Sequence, residues 1–150
     1  MEFKDVLERI EGLERMSELQ EEKFAPQEGI ADVFAQHIKG RVKTAQLRRY
    51  FNAVKKIETD LKNEKDWNVV KKDFYMLTPQ FAYARGRGLI TEEYFNFMTA
   101  CLRKVDKGTD DEKVENFLKF ASLFEAIVAY HKYYEEKDKN QSRRRGGGRR

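Results

Sequence analysis

"KGRVKTAQLRRYFNAVKKIETDLK", residues 39–62, carries both the fold and a charge anomaly. No Gly or Pro interrupts it after Gly40, and Thr44 predicts an N-cap. At about 100° per residue, Leu47, Tyr50, Phe51, Val54, Ile57 and Leu61 fall within roughly a 120° arc. Arg48, Arg49, Asn52, Lys55, Lys56 and Lys62 fill the opposite arc. The stretch therefore predicts a helix with one apolar face and a positive ridge about 25–30 Å long. It holds eight Lys and Arg against two acids, in a chain of 150 residues whose formal net charge is only +4.

The charge is segregated along the chain. Residues 1–34 carry ten acids against four bases, and the last eight residues, "RRRGGGRR", carry five Arg and no acid. Without those five, the body holds 25 bases and 26 acids. The basic helix, and not the net charge, is thus the argument for an anionic partner.

Outward from that helix the same periodicity recurs. Phe3, Val6, Leu7, Ile10, Leu13, Met16 and Leu19 predict a helix within residues 3–24, and residues 30–38 predict a short one closed by Gly40. "KDWNVVKKDFYML" turns Trp67, Val70, Phe74 and Leu77 inward and Lys71 and Lys72 outward. Thr78 followed by Pro79 predicts a fresh helix start, ended at Gly86 or Gly88, because Pro suits a first helical turn. Residues 91–105 form the next apolar stripe, and Thr109 with Glu112 a capping box for a long last helix. The expectation is an all-α, compact bundle of five to seven helices in one domain, residues 1–138. Within it, 1–38 is an acidic helical region and 39–138 the basic helix with the C-terminal helices. The polar, Arg/Gly-rich residues 139–150 are expected to be a disordered tail.

Composition narrows the function. With 40% apolar and 37% charged residues and no apolar run near the ~18 of a membrane helix, no membrane partner is implied. The N-terminus lacks the basic start and apolar run of a secretory signal, so a cytoplasmic protein is expected. One cysteine, Cys101, excludes an internal disulfide and any multi-Cys metal site. His37 and His131 are the only histidines, stand in no metal-ligand spacing, and have no Arg in the few residues before them. "ARGRG" lacks the Lys-Ser/Thr of a phosphate loop. The sequence thus offers no catalytic residue, no metal site and no cofactor.

A solvated face could explain the basic ridge, but its cations share one side with little acidic dilution. The RNA-binding set expected from it is Lys39, Arg41 and Lys43 leading into the helix; Arg48, Arg49, Asn52, Lys55 and Lys56 upon it; and Lys71, Lys72, Arg85 and Arg87 beyond it. Spaced cations suffice for phosphate contact without any base-reading motif. Two other readings stay open. In a helical protein–protein adaptor the ridge is only solvated and Ile10 or Leu13 meets the partner. The third is an RNA-processing enzyme with an unrecognised site.

"VKTAQLRRYFNAVKKIE" (42–58), "TPQFAYARGRG" (78–88) and "FLKFASLFEAIVAYHKYY" (117–134), in that order, resemble the small helical subunit of type III-A CRISPR RNA-guided effector complexes. The likeness covers about residues 38–135. It implies a non-catalytic structural subunit, in antiviral defence, that stacks in several copies beside other subunits. Such a subunit touches guide RNA and target RNA without reading sequence, while base pairing carries specificity. The family's pattern falls on Lys43, Thr44, Gln46, Leu47 and Arg48, and on Ala82, Tyr83, Ala84, Gly86 and Arg87. Gln80 stands where the family commonly has a second basic residue. The segregated charge further suggests self-association.

Overall fold

The computed structural model describes residues 1–147. It contains α1 (Phe3–Glu11), a 3₁₀ turn (Met16–Glu18), α2 (Glu21–Phe24), α3 (Ile30–Ile38), α4 (Thr44–Glu64), α5 (Trp67–Gly86), α6 (Glu92–Val105) and α7 (Asp110–Gly147). No strand occurs among the described residues, so the all-α expectation of five to seven helices holds.

The helices share one core. α3, α4, α5 and α6 all pack on α7, and α1 packs on α6 and α3. The predicted inward stripe of α4 is the buried one: Leu47, Tyr50, Val54, Ile57 and Leu61 are each at most 5% exposed. Aromatic rings fill the centre. Phe34 stacks on Phe97 with centroids 3.9 Å apart, and Tyr50 meets Phe81 at 4.9 Å. Fully burying such a side chain is worth ~1.5–3 kcal/mol. Cys101 lies in this core, where burial pushes its thiol far up and leaves it inert.

Three local expectations need correction. The stripe at 3–24 is not one helix. The chain breaks at Gly12, whose helical cost is ~1 kcal/mol relative to Ala. It then turns through 16–18, because α7 captures that turn: Ser17 N–H donates to Asn116 Oδ1 at 3.0 Å, and Arg15 pairs with Glu112. Thr44 is the first helical residue, not the cap. Lys43 occupies the N-cap, and the Thr44 hydroxyl donates instead to Glu135 of α7. Nor does a new helix begin at Pro79, which sits inside α5. Pro79 is exposed while Phe74, Leu77 and Phe81 are buried, so core packing holds the helix through the missing hydrogen bond. Residues 139–147 continue α7. No Gly or Pro precedes Gly146 there; residues 148–150 of the expected tail lie outside the described residues.

The acidic N-terminal region spends its apolar side inside the molecule. Ile10 is fully buried, and Leu13, half-buried, packs against the core. Asp32, 2% exposed, anchors the region to α7. Burial works against its charge. Hydrogen bonds from the Glu28 N–H, the Tyr134 hydroxyl and the Gln36 amide outweigh that and hold its carboxyl below the usual range.

Candidate nucleic-acid interface

The surface is built from three consecutive pieces. Lys39 caps the end of α3, and the chain turns through Gly40, whose φ of 76° is open to glycine at little cost. Val42, 2% exposed, pins the turn to the body and leaves Arg41 and Lys43 outside. α4 then runs about 30 Å. Lys65, left-handed at φ 52°, and Asp66, whose carboxylate caps Asn68 N–H at 3.0 Å, fold α5 back beside it. Because two residues join the pair, α4 and α5 are an antiparallel hairpin. Arg48, Arg49, Arg85 and Arg87 lie toward one end, and Lys71 and Lys72 toward the Lys65 turn.

All twelve expected residues are exposed: Lys39, Arg41, Lys43, Arg48, Arg49, Asn52, Lys55, Lys56, Lys71, Lys72, Arg85 and Arg87. They differ in what holds them. Lys39 pairs with Asp138 at 2.9 Å, Lys55 with Glu58 at 2.9 Å and Arg85 with Glu92 at 2.7 Å. Arg41 contacts His37 at 3.4 Å, and this charge, after burial, lowers the His37 pKa. Among the described residues, Lys43, Arg48, Arg49, Lys56, Lys71, Lys72 and Arg87 have no carboxylate partner within 4.0 Å. The Lys39 and Arg85 pairs are exposed on both sides and contribute little, so those two cations remain exchangeable.

Glu58, one of the two acids in residues 39–62, does more than dilute the charge. It lies at the edge of the core stripe, 5% exposed, and takes Lys62 at 3.7 Å as well as Lys55. Its hydrogen bond, then its charge, raises the Lys55 pKa.

The structure adds residues that the sequence assigned to the tail. A cavity of about 650 Å³ at the head of α4 is lined by Lys39, Lys43, His131, Glu135, Asp138, Lys139 and Arg143, among others. Lys139 and Arg143 reach it only because α7 stays helical, which puts residues four apart on one side. The unbroken run of helix-tolerant residues after 138 was the available signal. His131, 4% exposed, lies beneath, its pKa lowered by burial against the opposing pull of Glu135 and the Val42 backbone.

The arrangement is a line of cations, with no grouping of three or more potential metal ligands among the described residues. Such a line can neutralise a polyanion along its length. No helix among the described residues is long and apolar enough to cross a membrane. A protein-family model, Csm2 Type III-A, matches residues 21–137, a span that takes in all twelve candidates and leaves out α1. No curated protein and no solved structure matches the chain.

Proposed function

The chain belongs to the Csm2 Type III-A family and is a structural subunit of the type III-A CRISPR effector complex, and on that premise we propose that it grips RNA phosphates through the α3–α4 turn and the α4–α5 hairpin. It associates with other subunits of that complex. In this reading it is non-catalytic, acts in the cytoplasm, and contacts guide and target RNA without reading their sequence. Several copies stack along the duplex, with basic hairpins and acidic N-terminal regions supplying complementary charge.

The observation that carries the reading is the run of exposed cations free of carboxylates on consecutive elements. Lys43, Arg48, Arg49 and Lys56 alone span α4 from its cap to its middle. If those four each meet a phosphate on a single strand, log affinity falls with log salt at a slope of about −2.8.

The test is a salt titration of RNA binding, wild type against Arg48→Glu/Lys56→Glu. Both residues are exposed and neither has an ion-pair partner among the described residues, so the variant should fold unchanged and lose the salt-dependent affinity. A slope near zero for wild type, or full affinity in the double variant, would refute it. Stacking is tested separately, by sedimentation at low salt. A concentration-independent monomer mass counts against self-association by charge.

A further inference from the structure

Most aromatic rings of this protein are paired in the core; Tyr83 is not. It is 66% exposed and stands on the outer face of α5. Heptad spacing places Val69 and Met76, 44% and 47% exposed, on the same side.

At Tyr83 this face meets α4. A groove of about 250 Å³ runs between the two helices, lined by Arg49, Met76, Pro79, Gln80 and Tyr83 among others, with no acidic residue in its lining. One turn beyond Tyr83, the Arg87 guanidinium lies 5.7 Å from the ring centroid, and its Nη1 is 3.5 Å from the ring hydroxyl. Arg87 has no carboxylate partner among the described residues. Arg87 lies over one face of a ring that is 66% exposed, and Arg49 lines the slot beside it; an aromatic face, a slot and two nearby cations are what an unpaired nucleotide requires, since the ring stacks on the base and the cations take the flanking phosphates.

We propose that Tyr83 is the stacking platform for one unpaired nucleobase seated in the α4–α5 groove, with Arg49 and Arg87 holding the phosphates on either side. The proposal rests on the RNA-binding reading and adds base contact to phosphate contact. The groove is smaller than the ~300 Å³ at which pockets for larger ligands begin, which suits a single base. Gln80 presents both a donor and an acceptor, so it can meet any base edge, and stacking itself is sequence-tolerant. A protein partner is the poorer occupant. Val69, Met76 and Tyr83 are about 10 Å apart along the helix axis, with Lys72 and Gln80 between them, and form no continuous apolar patch.

The experiment uses the full chain with a single-stranded RNA carrying 2-aminopurine, whose fluorescence is quenched on stacking, and a fully paired duplex for comparison. Tyr83→Leu keeps an apolar side chain but no π face, whereas Tyr83→Phe keeps the face. Tyr83→Leu should bind the single strand about 10-fold more weakly, within the roughly 5- to 150-fold spanned by base–aromatic stacking. It should also lose the quenching, keep the wild-type salt slope and bind duplex RNA unchanged, while Tyr83→Phe behaves as wild type. Wild-type affinity and quenching in Tyr83→Leu would overturn the platform. If Arg48→Glu/Lys56→Glu still weakens binding in that case, the phosphate reading stands alone. Equal losses on single strand and duplex would also overturn it, as would a changed sedimentation mass with unchanged RNA affinity, which makes the face a protein contact. Absence of salt-dependent binding by wild type removes both readings together.

Discussion

Glu58→Gln should make this protein a more salt-sensitive RNA binder. Glu58 holds Lys55 at 2.9 Å and Lys62 at 3.7 Å, two of the ridge's cations, whose side chains are otherwise 47% and 62% exposed. The amide keeps the side chain's shape and removes its charge, so both ammonium groups become available without a competing carboxylate. Lys43, Arg48, Arg49 and Lys56 are already without a carboxylate partner among the described residues, and those four contacts correspond to a single-strand slope of about −2.8. Adding Lys55 and Lys62 makes six contacts and a slope of about −4.2. Between 50 and 200 mM salt, the variant should then lose affinity roughly 300-fold where wild type loses it roughly 50-fold. Fluorescence anisotropy over that salt range, with circular dichroism to confirm unchanged helix content, measures both. Lys55→Ala/Lys62→Ala is the control and should keep the shallower slope. An unchanged slope in Glu58→Gln would refute the reasoning, because these cations would then lie away from the phosphates.

Two further predictions concern the scaffold. Asn116 is fully buried, accepts the Ser17 N–H at 3.0 Å and donates to the carbonyls of Val105 and Lys107 at 3.1 and 3.2 Å. Asn116→Leu strands those groups and should cost about 2–4 kcal/mol at ~1 kcal/mol or more each; a loss below about 1 kcal/mol in urea unfolding would show that the contact is idle. The His131 pKa is lowered in the folded state, so the unfolded chain takes up the proton first as pH falls. The stability from its burial is thus complete above about pH 6.5 and declines below it. His37 is shifted the same way, by burial and then Arg41. The lowered carboxylates, Asp32 and Glu135 among them, lose their contribution only below about pH 4.5, the upper of their ordinary values. His131→Leu should therefore flatten the fall in Tm between pH 7.5 and 5.5, and an undiminished fall would assign the dependence elsewhere.

Much of the site was legible because exposure follows helical period. Once Leu47, Tyr50, Val54, Ile57 and Leu61 define the inner face of α4, Arg48, Arg49, Lys55 and Lys56 can only face out. Pro79 and Gly12 show where that local logic stops. Both are helix punctuation in sequence. Yet α5 runs through Pro79 because buried Phe74, Leu77 and Phe81 hold it on both sides, whereas α7 confirms the break after Gly12 by taking the Ser17 N–H through Asn116.

The sequence by itself determined the all-α class, the inward faces of the helices and the exposure of the cations, since each depends on residues one to four positions apart. Only the tertiary structure decided which of those cations are engaged and what stands beside the rest. Lys39 meets Asp138, 99 residues on, and Thr44 meets Glu135, 91 residues on. The Arg49–Tyr83 groove likewise exists only where two helices lie side by side. Periodicity fixes the direction in which a side chain leaves its helix; the packing of one helix on another fixes what it meets there.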